Sequence, residues 1–365
     1  MGSLVCAECG ETRPLTEQSM VCPCGGLWNV AWSGCFDPKE TAGRPWNLWR
    51  YAEALPVAPE FATSLGEGTT PLVEVVLDGK TALIKQEQLF PTGSYKDRGA
   101  ALLISRMREL GVGECVEDSS GNAGCAVAAY CARAGIRCRI LVPEATSPAK
   151  LTQIQAYGAE LELVPGNRDA TARAALNAAK DHFYASHSYN PFFFHGTKTF
   201  AFEVAEQLGW QAPDTVVLPA GNGTLLLGAY LGFTELKAQG ITDRLPRLVA
   251  VQAEHCAPLA TAFARGEERP AAVEPRPTAA EGIAIGEPVR GAQMLAAVRD
   301  TQGEFLAVSE QEILAARNTA HTMGFYIEPT AGAAFAGLLR YVRDTSSDEA
   351  VVSVFTGHGL KSPPK

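Results

Sequence analysis

The residue with the clearest chemical potential is a lysine at the start of a predicted helix. Lys96 lies in residues 91–99 (PTGSYKDRG), directly after the aromatic Tyr95, and an apolar helix pattern follows from Ala100. In the first turn of a helix, the positive end of the helix dipole disfavours an ammonium group. A lysine amine that is readily neutral can form a Schiff base with an aldehyde, so this run predicts an aldehyde cofactor.

A second motif could bind the phosphate of such a cofactor. Residues 215–219 (TVVLP) are predicted to form a buried strand, and the glycine-rich turn AGNGT leads from it into an apolar helix pattern. Backbone N–H groups at the start of a helix form a natural phosphate site. Together with Lys96, this turn indicates pyridoxal phosphate as the cofactor. The predicted phosphate ligands are Gly221, Asn222, Gly223 and Thr224.

Two further turns could complete a site for an amino acid. Residues 118–124 (DSSGNAG) precede a helix pattern, and their hydroxyl and N–H groups could hold a carboxylate. In the same turn, Asn122 could hydrogen-bond the ring hydroxyl of the cofactor. Thr356 follows the predicted strand 351–355, where ligands collect in open α/β sheets, and could be a neutral partner for the pyridine nitrogen. The predicted substrate ligands are Ser119, Ser120, Gly121 and Ala123.

The order of these turns resembles fold-type II pyridoxal phosphate enzymes, most closely the threonine synthase family. Residues 48–51 (LWRY), 66–71 (GEGTTP), 196–199 (GTKT) and 356–361 (TGHGLK) add to the resemblance. The resemblance implies that Lys96 is the catalytic Schiff-base lysine. It also implies that Tyr95, Asn122 and Thr356 bind the cofactor ring. The implied protein is a carbon–oxygen lyase and commonly a homodimer, which removes the Cα proton of an amino acid before elimination or replacement at Cβ or Cγ.

Part of the predicted substrate pocket departs from that family. Ala123 and Gly124 stand where threonine synthases usually carry a hydroxyl pair, and residues 190–195 (NPFFFH) lack the arginine that would bind a substrate phosphate. Residues 280–284 and 328–333 are more similar to threonine and serine dehydratases. A dehydratase-like ammonia-lyase and a β-replacement synthase for a nonprotein amino acid therefore stay open as alternatives. A ligand-binding protein without catalysis is disfavoured, because Lys96 and all the cofactor positions occur together.

The amino-terminal cysteines form two knuckles that could bind a metal. Cys6 and Cys9 have CxxC spacing, while Cys22 and Cys24 have CxC spacing, each pair near glycine. Four thiolates at such spacing can bind structural zinc, which predicts a zinc-ribbon-like segment, with a metal-free reduced loop as the alternative. The other cysteines are scattered and are interpreted as small buried hydrophobes: Cys35, Cys115, Cys125, Cys131, Cys138 and Cys256.

The composition narrows the class of protein. The 365 residues include 31 Lys and Arg against 40 Asp and Glu, a net charge of −9, which argues against nucleic acid as a partner. No apolar run approaches the ~18 residues of a membrane span, and no secretory signal is visible. A cytoplasmic enzyme with a small-molecule amino acid substrate is therefore expected.

The alternation of strands and helices from about residue 95 onward predicts an α/β fold with parallel sheets. The resemblance implies two open, mostly parallel α/β domains of the tryptophan synthase β type. The expected boundaries are residues 1–30 for the cysteine knuckles, 31–98 and 190–365 for a large cofactor-binding domain, and 99–189 for a small domain inserted into it.

Overall fold

The structure is a computed structural model that describes residues 2–146, 148–166, 168–345 and 348–362. Two compact units make up the chain. Unit 1 comprises Met1–Gly68 and Lys96–Thr197, and unit 2 comprises Thr69–Tyr95 and Lys198–Lys365. Within the described ranges, no helix combines the length and apolar character needed to cross a membrane.

Both units contain strands and helices in alternation. The strands are β1 (Ser3–Cys6), β2 (Thr12–Pro14), β3 (Trp28–Ala31), β4 (Leu72–Leu77), β5 (Lys80–Lys85), β6 (Glu114–Glu117), β7 (Arg137–Pro143), β8 (Glu160–Val164), β9 (Phe183–Tyr184), β10 (Thr215–Pro219), β11 (Arg247–Ala253), β12 (Glu304–Val308) and β13 (Val351–Val354). The helices are α1 (Pro38–Thr41), α2 (Lys96–Glu109), α3 (Asn122–Ala134), α4 (Pro148–Ala156), α5 (Arg168–Ala178), α6 (Pro191–Thr197), α7 (Thr199–Gln207), α8 (Thr224–Ala238), α9 (Pro258–Ala264), α10 (Gly291–Asp300), α11 (Glu310–Thr322) and α12 (Pro329–Asp344). Short 3-10 helices span Leu48–Ala54, Pro59–Phe61, Glu87–Leu89, Glu281–Ile283 and Gly359–Lys361.

Unit 1 is built on a parallel sheet with strand order β8-β7-β6-β9. The alanine-rich helix α3 follows β6 and ends at Gly135 in the left-handed conformation, so the chain can turn back into β7. Helix α2 is buried from Asp97 to Met107 and packs against α3 and α6. A separate antiparallel sheet of order β2-β1-β3 forms the amino-terminal segment.

Unit 2 is built on a six-stranded sheet with order β12-β11-β10-β13-β5-β4. All neighbouring strands are parallel except the edge strand β4, which forms a hairpin with β5. The central strand β10 has every residue buried, as expected for a parallel strand covered on both faces. Its carboxyl end, and that of the adjacent β13, therefore open at the same edge of the sheet.

The predicted parallel α/β fold is confirmed. The strands predicted at 139–142, 160–164 and 247–252 are β7, β8 and β11, and the helix predicted near 170–180 is α5. The boundaries differ by one or two residues, as is usual where an element frays. The predicted domain boundaries stay a prediction.

Candidate active site

The glycine-rich turn in unit 2 has the strand–turn–helix geometry that its sequence predicts. Strand β10 ends at Pro219 and helix α8 begins at Thr224, with Gly223 as the residue that precedes the helix. Gly223 has φ of +79°, a left-handed conformation that favours glycine. The N–H groups of the first turn of α8 therefore lie at the carboxyl end of a buried strand, the geometry that suits a phosphate.

A second loop of unit 2 closes over this turn. A Cβ atom at Gly221 would lie 2.9 Å from Ile283 Cα and 3.0 Å from the carbonyl oxygen of Gly282. Both contacts are with backbone, which cannot rotate away as a side chain can. Position 221 therefore accepts only glycine while residues 282–283 stay where they are.

Tyr95 connects the glycine-rich turn to the segment that follows β13. Its phenolic oxygen is 2.7 Å from Thr224 Oγ1, and its backbone N–H donates to the carbonyl oxygen of Thr356 at 3.0 Å. Ser94 and Gly357 form a β-bridge beside it.

The hydroxyl of Thr356 is held by a glutamate that the sequence analysis did not select. Thr356 Oγ1 donates to Glu328 Oε1 at 3.1 Å, and both residues are buried. Glu328 is fixed in turn because its backbone N–H donates to the carbonyl oxygen of Gly357. An ionised carboxylate only accepts hydrogen bonds, so the hydroxyl proton of Thr356 points to Glu328 and a lone pair is left for another donor.

The two dehydratase-like segments meet in the same region. The N–H of Gly282 donates to Thr330 Oγ1 at 3.2 Å. Thr330 lies two residues beyond Glu328, in the first turn of α12. The contacts in unit 2 thus form one closed circuit. Its members are Tyr95, Gly221, Thr224, Gly282, Glu328, Thr330 and Thr356.

In unit 1, Lys96 is the first residue of α2 and lies beside an aromatic ring. Its Nζ is 5.6 Å from the ring centroid of Phe193, a distance typical of a cation–π contact. Phe193 is fully buried in α6 and packs against Gly99, one turn beyond Lys96. Residues 190–195, which lack the arginine expected to bind a substrate phosphate, are therefore part of the packing that positions α2.

The serine turn of unit 1 leads from β6 into α3, as predicted. Asn122 is the first residue of α3 and Gly121 precedes the helix, while Ala123 is buried. Ser119 and Ser120 are half-buried, and Ser119 Oγ accepts the N–H of Gly121 at 3.2 Å. The start of α3 therefore lies beside the Ser119 hydroxyl, an arrangement that suits a carboxylate.

The glycine that replaces the expected hydroxyl in this turn has a structural cause. A Cβ atom at Gly124 would lie 1.9 Å from the carbonyl oxygen of Ser119, so no side chain fits while the turn keeps this path. The backbone of Ser119 therefore approaches α3 more closely than any side chain at position 124 would allow.

A buried polar network supports the serine turn from behind. The N–H of Ser119 donates to Glu117 Oε2, and Glu117 Oε1 lies 2.8 Å from Nδ1 of His187. The imidazole of His187 also packs edge-on against the Phe193 ring, with centroids 6.1 Å apart. A continuous set of contacts therefore runs within unit 1 from Lys96 through Phe193, His187 and Glu117 to Ser119.

The four amino-terminal cysteines are brought together at one end of the β1–β3 sheet. Their Sγ atoms all lie within 4.8 Å of one another, with Cys6 and Cys24 at 3.5 Å and Cys9 and Cys22 at 3.7 Å. Tetrahedral zinc with Zn–S of about 2.3 Å requires sulfurs about 3.8 Å apart, so the spacing fits zinc. Burial raises the pKa of the Cys6 thiol, but hydrogen bonds from the N–H groups of Cys9 and Glu8 outweigh it and lower that pKa to about 7.

The interpretation of the other cysteines needs two corrections. Cys35 is exposed, because it lies in an irregular segment after β3 and not in an apolar element. The remaining ones are buried, as predicted, but three of them are not scattered: Cys115, Cys131 and Cys138 have Sγ atoms within 4.8 Å of one another. No spacing signal in the sequence indicates this group, since its members lie on three different elements.

Comparisons with known proteins agree with the geometry. Residues 63–357 match the model of the family described as pyridoxal-phosphate dependent enzyme. The threonine synthase of Methanocaldococcus jannaschii is 36% identical, over 98% of this chain and 92% of its own, and that of Methanosarcina acetivorans is 36% identical over 100% and 93%. The fungal L-serine ammonia-lyase from Rhizomucor miehei shares the fold, with a TM-score of 0.69 at 24% identity over 79% of this chain and 93% of that one. The chain therefore belongs to the pyridoxal-phosphate dependent enzyme family of fold type II, is similar to threonine synthases, and is a pyridoxal phosphate-dependent lyase.

Proposed function

We propose that this lyase has threonine synthase activity, converting O-phosphohomoserine and water into threonine and phosphate. The observation that carries the proposal is the similarity to threonine synthases at 36% identity along nearly the whole chain. An ammonia-lyase acting on threonine or serine is the second candidate. It is favoured by the contact between Gly282 and Thr330, which joins the two dehydratase-like segments.

Lys96 holds the cofactor covalently, and the turn before α8 binds its phosphate. Support comes from the fit of the donors: Gly223 opens the helix start, and Thr224 adds a hydroxyl that is already oriented by Tyr95. When bound, pyridoxal phosphate supplies an electron sink for the charge that develops at Cα. The chain must then supply the base, the carboxylate site and the partner of the ring nitrogen. The phosphate ligands are Gly221, Asn222, Gly223 and Thr224, and Asn122 binds the ring hydroxyl.

With the cofactor bound, the amine of Lys96 would act as the general base for the Cα proton. The Phe193 ring, 5.6 Å from Nζ, helps to fix where that amine lies. Ser119 and Ser120, with the N–H groups after Gly121 and Ala123, bind the substrate carboxylate. Glu117 and His187 hold this turn in position through the N–H of Ser119.

Thr356 would be the partner of the ring nitrogen. Its hydroxyl donates to Glu328 Oε1, so its oxygen could accept a hydrogen bond. Glu328 would therefore orient the hydroxyl that meets the ring nitrogen.

One assay separates the two candidate functions. The reconstituted enzyme is given O-phosphohomoserine, threonine or serine, and phosphate, ammonia and keto acid are followed together. Phosphate and threonine from O-phosphohomoserine support the proposal, whereas ammonia and keto acid from threonine or serine, without phosphate release, would establish the ammonia-lyase. A product that retains an added nucleophile would indicate β-replacement.

Two lysine variants test the covalent role. Lys96→Ala should lose both turnover and the visible absorption of the bound cofactor. Lys237→Ala, at the exposed end of α8, should keep both and serves as the matched control. A Lys96→Ala enzyme that retains the absorption and the turnover would refute the assignment.

We also propose that the amino-terminal knuckles bind a structural zinc ion through a zinc-ribbon-like fold. The close spacing of the sulfurs supports this site. Purified protein should then contain one zinc per chain, and replacing Cys9 with Ser should abolish it and lower the unfolding temperature. Zinc content unaffected by that change would contradict the site. The predicted ligands are Cys6, Cys9, Cys22 and Cys24.

We further propose that the enzyme is a cytoplasmic homodimer. The small domain would comprise residues 99–189, and residues 31–98 with 190–365 would form the large one. Light scattering on the reconstituted enzyme measures the mass, and a value of one chain would contradict the dimer.

A further inference from the structure

Unit 1 contains a second group of sulfur atoms, far along the chain from the amino-terminal knuckles. Cys115 on β6, Cys131 on α3 and Cys138 on β7 form the three-thiol cluster. Cys115 and Cys138 face each other directly, as Cα partners in the parallel register of β6 and β7. Helix α3, which connects these two strands, places the thiol of Cys131 3.6 Å from that of Cys115.

The spacing of the three-thiol cluster fits a trigonal metal site. With a metal–sulfur distance of about 2.3 Å, three coplanar sulfurs would lie about 4.0 Å apart. The observed separations begin at 3.6 Å and none exceeds 4.8 Å. Small rotations of the side chains would therefore bring all three sulfurs to bonding distance, without moving the strands or the helix.

The chemistry of the donor set selects the kind of metal. Among the described residues, the group contains sulfur ligands only, and such soft ligands favour thiophilic cations. A structural zinc ion takes four ligands, one more than this group offers. Cys115 and Cys131 are fully buried, so water is poorly placed to supply the fourth. We propose that the three-thiol cluster is a binding site for a soft monovalent cation, with Cu(I) as the metal, each coordinating thiol releasing its proton to solvent.

The three-thiol cluster also offers a route for the metal. Cys138 is the second residue of β7 and keeps 8% of its surface exposed, so the cation would enter at the amino ends of β6 and β7. The serine turn lies at the other end of β6, and Asn122 is nine residues from Cys131 along α3, about 13 Å at the rise of a helix. Occupancy should thus stabilise unit 1 without contacting the candidate active site.

The test is a titration of the reduced, cofactor-loaded enzyme with Cu(I) buffered by bicinchoninate, a coloured competitor. Wild type should bind one more equivalent of Cu(I) than Cys131→Ser. In Cys131→Ser, the affinity of the three-thiol cluster for Cu(I) should fall by more than about 100-fold, because loss of a supporting contact alone weakens a metal site by about 10–100-fold. Cys125→Ser is the matched control, since Cys125 is buried on the same helix but outside the three-thiol cluster, and it should match wild type. The amino-terminal cysteines are present in all three proteins, so their contribution cancels.

A second measurement does not depend on the folding of a core variant. The double variant Cys9→Ser, Cys24→Ser removes exposed residues of the amino-terminal knuckles and leaves the three-thiol cluster intact. Copper X-ray absorption of this variant should show three sulfur neighbours, and its unfolding temperature should rise on binding. Equal Cu(I) stoichiometry in wild type and Cys131→Ser, or fewer than three sulfur neighbours in the double variant, would overturn the proposal.

Discussion

Replacement of Gly223 by alanine offers the sharpest test of the glycine-rich turn. The residue has φ of +79°, and a Cβ atom there would lie 2.3 Å from Sδ of Met294 on α10. The left-handed conformation costs an alanine about 1–2 kcal/mol. Overpacking against a side chain adds about 1–3 kcal/mol, at the low end here because a methionine can move. We expect the unfolding free energy of the cofactor-free protein to fall by about 2–3 kcal/mol.

The same helix provides a matched control at its other end. Gly240 follows α8 with φ of +70°, and a Cβ atom there would have no neighbour within 4 Å. Gly240→Ala therefore measures the conformational penalty alone, about 1–2 kcal/mol. The two variants share the backbone strain; Gly223→Ala alone also contacts Met294 and lies at the proposed phosphate site.

Cofactor affinity distinguishes the two variants. If relief of the strain turns one N–H group away from the phosphate, one charged hydrogen bond of about 1.5–3 kcal/mol is lost. Gly223→Ala should then bind pyridoxal phosphate about 10–100-fold more weakly, measured by absorption titration of the cofactor-free protein, while Gly240→Ala binds it normally. Equal affinity in the two variants would show that this turn does not bind the phosphate.

Three further predictions concern buried charges. Glu328→Gln should shift the pH dependence of the bound cofactor's visible absorption, because an amide would replace the carboxyl group that accepts the Thr356 hydroxyl; an unchanged titration would rule out that influence. Lys85→Met should lower the unfolding free energy by about 3–5 kcal/mol, since Lys85 Nζ lies 2.9 Å from the equally buried Glu203 and also donates to Thr70 O and Gln207 Oε1. The double variant Lys85→Met, Glu203→Leu should recover part of that loss in urea unfolding, because the carboxylate is removed but the two donated hydrogen bonds are not restored. Burial raises the pKa of the Glu67 carboxyl above its usual value of 4.5. The native state therefore keeps a proton that the unfolded state releases, and stability falls as the pH rises from 4.5 through the raised pKa of the native state. Glu67→Gln should lack this slope, and a slope equal to that of wild type would assign it to another group.

The parts of the site that depend on short stretches of sequence could be predicted. Apolar periodicity next to glycine is a signal that extends over only a few residues. It predicts the start of α2 at position 96, the strand–turn–helix at 215–224 and the turn into α3. The parallel sheets follow from the alternation of these elements. The structure placed each of these elements within a few residues of its predicted position.

Contacts between distant elements could not be predicted in the same way. The bond from Thr356 to Glu328 joins the end of β13 to the start of α12, and Phe193 reaches Lys96 only because α6 packs on α2. The three-thiol cluster depends on the register of β6 against β7, which a one-residue slip would destroy. One chain carries no signal for such pairings until the sheet is assembled.

The close approach of Ser119 to position 124 has a consequence for engineering. Substrate preference in a related enzyme is commonly altered by exchanging one pocket side chain, yet a threonine introduced at 124 would collide with the Ser119 carbonyl oxygen, 1.9 Å from its Cβ. A hydroxyl at position 124 would require the backbone of Ser119 to move first. The backbone path thus rules out a single side-chain replacement at this position.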